Sequence, residues 1–276
     1  MEELVNKVAV VTGAASGIGR ALAMQCAQEQ MKVVLADVEV AALEEVEDTL
    51  RAANVDVLAV PTDVASAESV ETLAKHTLDH FGGVHLLFNN AGVAAGGSIW
   101  QSSVADWEWV LGVNLWGVVH GIRTFVPHML AQNEPCHIVN TASIAGLVST
   151  PGLGVYNVTK HGVVTLSETL YQELQMAGSL IGVSVLCPGW VKTRIGESAR
   201  NRPGQEQDRP RQQLGGDGIA HAIAHGVEPQ AVAAQVFSAI REDRFYVLTH
   251  PEMTPLVEQR HEDIRRSRNP TTLGLT

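Results

Sequence analysis

The stretch that decides the fold is Lys7–Glu29, KVAVVTGAASGIGRALAMQCAQE. Its first part, Lys7–Val11, is a short apolar run rich in β-branched residues and without alternation, which is typical of a strand buried on both faces of a parallel sheet. The glycine-rich segment Thr12–Gly19 follows directly, and Arg20–Glu29 has the pattern of a helix. A strand, a glycine-rich turn and a helix in this order form the usual setting for binding the phosphates of a dinucleotide.

The glycines of this turn have different predicted roles. Gly13 permits the tight turn, Gly17 lets the backbone approach a pyrophosphate, and Gly19 allows close packing of the helix against the strand. Ser16 and Ile18, next to these glycines, are also assigned to the cofactor site. Because the spacing is GxxxGxG and not the general GxGxxG, a plain tight turn is the alternative.

The acid at the end of the second predicted strand bears on the choice of cofactor. Strand Lys32–Ala36 leads directly into Asp37. A carboxylate at this position can accept both ribose hydroxyls of an adenosine and would repel a 2′-phosphate. Neither Ser16 nor the residues that follow the acid, Val38 and Glu39, supplies a cation, so NAD is favoured over NADP. A solvated aspartate at a strand end is the alternative.

The alternation of strands and helices continues along the chain. Predicted helices cover 39–53, 66–81, 104–131, 154–177 and 229–242, and predicted strands cover Val55–Pro61, Val84–Phe88, His137–Thr141, Val183–Leu186 and Phe245–Leu248. This pattern predicts an α/β fold with a doubly wound parallel sheet and helices on both of its faces. A chain of 276 residues is compatible with one domain, and we expect 1–276 to form a single Rossmann-like domain.

Most of the remaining candidate residues follow the carboxyl ends of predicted strands. Asp63 is placed to meet an adenine amino group, and Asn90 is placed to support the ribose side or simply to turn the chain. In open α/β sheets, ligands bind in the crevice outside these strand ends. The cofactor residues assigned here are Asp63, Val64, Asn90, Ala91, Gly92, Pro188 and Gly189.

Tyr156 and Lys160 are predicted to form an acid–base pair. They lie four residues apart in a predicted helix, so their side chains share one face. An ammonium beside the phenol stabilises the phenolate, and we expect the pKa of Tyr156 to fall from about 10 toward neutrality. Ser143, which follows a predicted strand, is placed to hold a substrate oxygen. Taken alone, Tyr-x-x-x-Lys on a helix is usually a solvated pair.

Asn114 stands in the middle of the predicted helix 104–131. Asn is unfavourable in a helix interior because its side chain competes for backbone groups. The residue is therefore either a kink with a function or an exposed amide.

Composition and charge exclude several classes of function. The net charge of −11 argues against a nucleic-acid or anionic-membrane partner, although the backbone N–H groups of a helix N-terminus can still bind phosphate. The three cysteines are far apart and form no CxxC pair, as expected for buried thiols in a reducing compartment. The first apolar run is too short for a signal peptide or a membrane span, so we expect a cytoplasmic protein.

Residues 194–228 differ in composition from the rest of the chain. They contain clustered Arg, Gln, Gly and Pro, and we expect them to form a mobile lid over the substrate. His221 and His225 have the spacing of metal ligands, but no third ligand is near, so ordinary helix surface is preferred and no metal site is predicted. The basic tail Arg260–Arg268 is expected to be a solvated face or a subunit contact.

Together these motifs resemble those of the short-chain dehydrogenase/reductase family. They run in order over about residues 5–193 and comprise Thr12–Gly19, Asn89–Gly92, Asn114, Ser143, Tyr156-x-x-x-Lys160 and Pro188-Gly189. The resemblance implies a single Rossmann-like domain with a seven-stranded parallel sheet, and a homotetramer or a dimer. It also implies hydride transfer between NAD(P) and the CH–OH group of an alcohol or the matching carbonyl.

The same resemblance implies a role for each catalytic residue. Tyr156 takes the alcohol proton during oxidation or gives it to the carbonyl oxygen during reduction. Lys160 lowers the pKa of that phenol and binds the nicotinamide ribose. Ser143 orients the substrate oxygen, and Asn114 holds a water that relays protons to solvent. The resemblance also implies that Val191 and Thr193 bind the cofactor near the nicotinamide carboxamide.

The predicted substrate pocket is mostly apolar. Its expected wall consists of Ala94–Gly97, Ala145–Leu153, Trp190 and the lid, and the substrate-binding residues are Ser143, Ala145, Leu153, Tyr156 and Trp190. This wall predicts a hydrophobic secondary alcohol or its ketone as substrate.

Three alternatives to this function stay open at the level of sequence. One is an NADPH-dependent carbonyl reductase of the same family. The others are a regulator that binds NAD(H) without catalysis and a structural α/β subunit.

Overall fold

The computed structural model describes Met1, residues 3–204 and residues 216–272. Its strands are β1 (Val8–Thr12), β2 (Lys32–Asp37), β3 (Val57–Pro61), β4 (Leu86–Asn89), β5 (Cys136–Thr141), β6 (Ile181–Cys187) and β7 (Tyr246–Leu248). Within the described residues they form one seven-stranded sheet in the order β3-β2-β1-β4-β5-β6-β7. Every neighbouring pair is parallel, so the predicted α/β architecture is confirmed.

Helices cover both faces of the sheet. They are α1 (Gly17–Gln28), α2 (Val40–Ala52), α3 (Ala67–Phe81), α4 (Val104–Leu111), α5 (Gly117–Gln132), α6 (Gly154–Met176), α7 (Gly216–Ala224), α8 (Pro229–Glu242) and α9 (Thr254–Arg265). None of the helices among the described residues is both long enough and apolar enough to span a membrane.

The central strand β1 is apolar throughout because each of its faces is covered. Val11 packs in the core cluster that contains Leu22 of α1 and Phe237 of α8. Its neighbour Val10 points to the opposite face, into the cluster that contains Phe125 of α5. Successive residues of a strand point to opposite faces, so burial of both faces removes the alternation expected of a half-exposed strand.

The position of β1 in the sheet creates the crevice. Strand β1 pairs with β2 on one side and with β4 on the other, so the direction of winding reverses between β1 and β4. The loops that leave the carboxyl ends of these two strands therefore separate, and a ligand-binding crevice opens there.

The structure differs from the predicted elements at two places. The predicted helix 104–131 is interrupted by a π-helical turn, Gly112–Trp116, between α4 and α5. The basic tail forms the end of α9, where Arg265 and Arg266 pair with Glu262, and Arg268 pairs with Asp263. These arginines of the tail are thus paired with acids of the same segment, and a subunit contact there stays a prediction.

Candidate active site

A cavity of about 550 Å³ opens at the carboxyl edge of the sheet. Its wall combines the segments that follow strands β1 to β6 with the first turns of α6. The predicted residues that line it are Gly13, Ser16, Gly17, Ile18, Asp37, Asp63, Val64, Asn90, Ala91, Gly92, Ser143, Ala145, Leu153, Tyr156, Lys160, Pro188, Gly189, Trp190, Val191 and Thr193. Gly19 and Asn114, which were also assigned, are buried behind this wall. Of the predicted substrate wall, Ala94, Ala145 and Leu153 line the cavity, whereas 95–97 and 146–152 do not.

The glycine-rich turn has a backbone that other residues would strain. Gly13 and Gly17 have φ angles of 67° and 54°, in the left-handed region that favours glycine. A Cβ atom on Gly19 would lie 2.0 Å from the carbonyl oxygen of Gly13. Ser16 is the N-cap residue of α1, but its side chain makes no capping hydrogen bond within the described part of the chain. The backbone N–H groups of this helix end thus suit an anion such as a pyrophosphate.

Thr12 ties the glycine-rich turn to the loop after β4. Its Oγ1 accepts hydrogen bonds from the N–H groups of Asn90 at 2.9 Å and Ala91 at 3.1 Å. In return, the Asn90 Nδ2 donates to the carbonyl oxygen of Thr12 at 3.0 Å. These bonds hold the two sides of the crevice at a set distance.

Two carboxylates of the cavity wall are oriented by backbone groups. Asp37 Oδ2 accepts from the N–H of Ala15 at 3.0 Å, and its Oδ1 accepts from the N–H of Glu39 at 3.0 Å. Asp63 Oδ1 accepts from the N–H of Ala65 at 2.9 Å. Each carboxylate oxygen has a second lone pair, so Asp37 can still accept ribose hydroxyls.

Ser143, Tyr156 and Lys160 converge in the same wall from two elements. Ser143 follows β5, and its Oγ accepts from the N–H of Ala145 at 3.1 Å. Tyr156 and Lys160 extend from the first turns of α6, and the Lys160 Nζ lies 5.5 Å from the centre of the phenol ring. The Lys160 Nζ also donates to the carbonyl oxygen of Thr141 at 2.9 Å. The predicted triad is thus brought together in space.

The predicted fall in the pKa of Tyr156 is wrong for the protein by itself. Burial raises the pKa of Tyr156 to about 12, and the Ser143 hydroxyl only partly opposes this rise. Tyr156 as a residue is half-buried, whereas its phenol oxygen is enclosed by protein. Burial also lowers the pKa of Lys160 to about 8, so the same desolvation acts on both partners. The sequence prediction counted the charge of the lysine but not the cost of removing both groups from water.

Asn114 is neither an exposed amide nor part of the cavity wall. It lies in the π-helical turn, is 0% exposed, and uses its side chain to hold the loop after β4. Its Oδ1 accepts from the N–H of Val93 at 2.8 Å, and its Nδ2 donates to the Val93 carbonyl oxygen at 2.9 Å and to Thr159 Oγ1 at 3.2 Å. The exposed-amide interpretation is therefore wrong and Asn114 does stand at an interruption of the helix, while its functional role, including the water relay, stays a prediction.

His250 supports the cavity wall from outside, and its position was missed by sequence reasoning. It follows β7 and bridges two successive residues of the loop after β6. Its Nδ1 accepts from the N–H of Gly189 at 3.0 Å, so the proton must lie on Nε2, which donates to the carbonyl oxygen of Trp190 at 2.9 Å. A histidine 61 residues from its partner gives no local sequence signal.

Residues 194–202, which we call the strap, add arginines to the cavity wall. Arg202 pairs with Asp106 of α4 at 2.6 Å, and its guanidinium lies 5.5 Å from the centre of the Trp109 ring. Arg200 pairs with Glu39, which follows β2. The sequence showed these arginines only as part of an unusual composition, because their acidic partners are distant along the chain.

The rest of the predicted lid is described in part. Residues 205–215 lie outside the described residues. His221 lies in α7 and His225 directly follows this helix, with their ring centres 4.0 Å apart. Across Met1, 3–204 and 216–272, no cluster of three or more His, Cys, Asp or Glu side chains is arranged to hold a metal ion.

Comparison with known proteins identifies the family. A family model described as short chain dehydrogenase matches residues 7–204. The CLA biosynthesis dehydrogenase/reductase of Lactiplantibacillus plantarum is 36% identical over 267 residues, which is 94% of this chain and 93% of the relative. The chain belongs to the short-chain dehydrogenase/reductase family.

Other members of this oxidoreductase family support the same assignment. A solved structure of a short-chain dehydrogenase/reductase from Burkholderia phymatum in complex with NAD is 52% identical, with a TM-score of 0.96 and 99% of each chain covered. The 1-deoxy-11-beta-hydroxypentalenate dehydrogenase of Streptomyces arenae is 33% identical over 265 residues, which is 95% of this chain and 88% of the relative.

Replacing Lys160 by Met should raise the stability of this family member at neutral pH. Burial lowers the pKa of Lys160 from 10.5 to about 8, so between these values the unfolded chain binds a proton that the folded chain does not. The contribution of Lys160 to the free energy of unfolding therefore rises as the pH increases from about 8 to 10.5. Below pH 8 the buried ammonium destabilises the folded protein by on the order of 3 kcal/mol. Urea unfolding at pH 7 and pH 10 should show the advantage of K160M shrinking at the higher pH.

The control for this experiment is Lys192→Met, which removes an exposed lysine. Groups that titrate in all three proteins cancel in the comparison. A K160M advantage that is equal at both pH values would contradict the buried-charge explanation.

Replacing His250 by Leu should loosen the loop that carries Gly189 and Trp190. The change removes the acceptor for the Gly189 N–H, and one net hydrogen bond corresponds to roughly a threefold to tenfold change in local opening. Hydrogen exchange read by mass spectrometry should show faster exchange in the peptide around residue 189. Exchange in β1 should be unchanged. His250→Asn keeps an acceptor near the Nδ1 position and should restore most of the protection; equal loss in both variants would sink this positioning role.

Proposed function

We propose that this protein is an NAD-dependent dehydrogenase that interconverts a hydrophobic secondary alcohol and its ketone. The observation that carries the proposal is the convergence of Ser143, Tyr156 and Lys160 in the same cavity as a glycine-rich helix N-terminus and Asp37. A phenol, a hydroxyl and an ammonium suit proton transfer to or from a substrate oxygen. The helix N-terminus and the carboxylate suit the pyrophosphate and the ribose of a dinucleotide.

The residues present fit NAD as the cofactor. The first turn of α1 would hold the pyrophosphate, Asp37 the adenosine ribose, and Lys160 the nicotinamide ribose. Gly19, where a side chain would collide with Gly13, keeps the turn tight enough for the backbone to meet phosphate. When bound, NAD would accept or supply the hydride. The relative from B. phymatum, which holds NAD in its structure, supports this choice.

The proton chemistry belongs to Tyr156. With a pKa of about 12, its phenol is protonated at neutral pH and ready to donate to a carbonyl oxygen. In the direction of oxidation it must instead accept a proton, and the protonated form of Lys160 favours the phenolate that can do so. Ser143 would hold the substrate oxygen within reach of the phenol.

The apolar part of the cavity wall supports a hydrophobic substrate. This part of the wall contains the apolar side chains of Trp109, Val113, Leu153, Trp190, Ile195 and Ile223. Trp109 and Val113 belong to this wall although the sequence analysis did not place them there. Arg202 lines the same cavity, but Asp106 balances its charge. The S. arenae relative is named as a dehydrogenase of a hydroxypentalenate, and this name is consistent with such a substrate.

Replacing Tyr156 by Phe tests this function. A panel of aryl, alicyclic, terpenoid and steroid secondary alcohols is offered with NAD, and NADH formation is followed by its absorbance. We expect turnover by the unmodified enzyme and a loss of about 10²- to 10⁴-fold in Y156F, because the proton-transfer group is absent. Binding of NADH, measured by fluorescence, should be retained.

Tyr171→Phe is the matched control, since Tyr171 lies on the same helix α6 but packs against Phe245. Full activity in Y156F, or no turnover of any alcohol or ketone by an enzyme that binds NADH, would refute catalysis and favour a regulator. A strong preference for NADPH would favour the carbonyl reductase instead.

We further propose that two or more copies of this chain assemble through the outer surface of the π-helical turn, α5 and α6. Trp116 is 53% exposed and Val158 is 46% exposed there. On the same two helices, buried polar atoms of His120, Asn157 and His161 have no hydrogen-bond partner among the described residues. A second copy would cover the apolar side chains and could satisfy these atoms, in the dimer or homotetramer that the family resemblance implies.

Trp116→Glu should yield monomers, because a buried charge at this surface would be unpaired. Light scattering coupled to size-exclusion chromatography measures the mass. Trp100→Glu is the control, since Trp100 is 82% exposed in a different segment and should leave the mass unchanged. A monomeric unmodified protein would contradict the proposed assembly.

The protein is also proposed to work in the cytoplasm. Cys26, Cys136 and Cys187 are all free and buried, as suits a reducing compartment.

A further inference from the structure

Glu39 lies two residues after Asp37 and lines the same part of the cavity. In the sequence alone, Glu39 is simply a position that supplies no cation after Asp37. In the structure it is the centre of a cluster that contains Arg194, Arg200 and Asn201 of the strap, all of which also line the cavity. The strap thus delivers cations to the place where the local sequence has none.

The contacts at Glu39 are concentrated on one oxygen. Oε1 accepts from Arg200 Nε at 3.0 Å, from Arg200 Nη2 at 2.6 Å and from Asn201 Nδ2 at 2.9 Å. Oε2 lies 3.6 Å from Arg194 Nη1. The side chains of Glu39 and Arg200 are only 21% and 25% exposed, so water screens this pair less than it screens a surface pair. Hydrogen bonding from Arg200 also holds the pKa of Glu39 below its usual range.

The backbone places this ion pair beside the carboxylate that should meet the ribose. Asp37 Oδ1 accepts the N–H of Glu39 at 3.0 Å, so the two acidic residues are held next to each other. A 2′-phosphate on the adenosine ribose would therefore meet Asp37 in direct proximity to the guanidinium of Arg200. A guanidinium can bind phosphate through two parallel hydrogen bonds, and the two donors that such a bond pair would need, Arg200 Nε and Nη2, are both directed at Oε1 of Glu39.

We propose that Glu39 is a second determinant of the preference for NAD over NADP, because it occupies the guanidinium of Arg200 that would otherwise bind a 2′-phosphate. This inference rests on the proposed dinucleotide site and extends it. Asp37 repels the 2′-phosphate, and Glu39 removes the cation that could compensate for that repulsion. The specificity then has two sources, namely repulsion of the 2′-phosphate by one carboxylate and the lack of an available cation to attract it.

Glu39→Gln tests the inference without any catalytic measurement. The probes are ADP-ribose and 2′-phospho-ADP-ribose, which share the adenosine and the pyrophosphate and differ only in the 2′-phosphate. Isothermal titration calorimetry gives the dissociation constant of each. We expect E39Q to increase the affinity for 2′-phospho-ADP-ribose relative to the affinity for ADP-ribose by about tenfold or more. This is the effect of one hydrogen bond to a charged group.

Two further variants separate charge from contact. Glu197→Gln removes an equal charge from a residue that pairs with Arg194 at 3.1 Å and not with Arg200, and it should leave the ratio of the two constants nearly unchanged. Glu39→Gln combined with Arg200→Gln should return the ratio to that of the unmodified protein, since the guanidinium itself is gone.

The outcomes are distinct. If E39Q weakened the binding of both probes equally, Glu39 would only hold the strap in place, and the inference would be overturned. An unchanged ratio, or a gain that persists in the double variant, would overturn it as well. Failure of the unmodified protein to bind ADP-ribose would refute the proposed dinucleotide site itself, and this inference with it.

Discussion

The hydrogen bonds between Thr12 and the loop after β4 are the constraint on which the rest of the cleft depends. Strands β1 and β4 lie on the two sides of the point where the winding of the sheet reverses, and their loops would otherwise diverge. One hydroxyl accepts two N–H groups from the opposite loop, and Asn90 returns a third bond. Gly19 completes the arrangement, since its missing side chain leaves room for the Gly13 carbonyl and the Asn90 amide.

A second constraint is the burial of charge next to the phenol of Tyr156. Lys160 is 3% exposed, and its ammonium donates to the Thr141 carbonyl at the end of β5. Cys187, at the end of β6, is buried nearby with a thiol pKa raised to about 12, so it contributes no negative charge at neutral pH. The folded state thus carries a destabilising group at the place where the proposed chemistry needs an ammonium. Active sites commonly retain such groups at the expense of stability.

The two sides of the cavity are held by different kinds of interaction. Backbone hydrogen bonds orient Asp37 and Asp63, so the wall proposed to bind the cofactor is part of the rigid scaffold. The strap is held to the rest of the protein largely through side-chain ion pairs, Arg200 with Glu39 and Arg202 with Asp106. Because the cost of removing both charged groups from water offsets much of the attraction within such pairs, the strap can detach at a lower free-energy cost than the scaffold. A ligand must enter and leave past such a segment, and weak attachment there is compatible with turnover.

The sequence by itself determined the features that depend on local pattern. The apolar run of β1, the glycine-rich turn and the spacing of Tyr156 and Lys160 reflect strand periodicity, backbone freedom and helix geometry, which are properties of neighbouring residues. Their order along the chain was enough to predict the parallel sheet and to place Ser143 at a strand end on the same edge.

Only the tertiary structure decided the features that depend on burial or on distant partners. The pKa of Tyr156 rises because the folded protein removes the phenol from water, and no spacing rule includes that desolvation. His250 meets Gly189 across 61 residues of chain, and Arg200 meets Glu39 across 161 residues. The partner of an arginine in the strap, or of the histidine after β7, cannot be read from neighbouring residues because only the folded sheet brings these segments together. The physical reason is that solvent exclusion and long-range pairing are created by the packing of the whole chain.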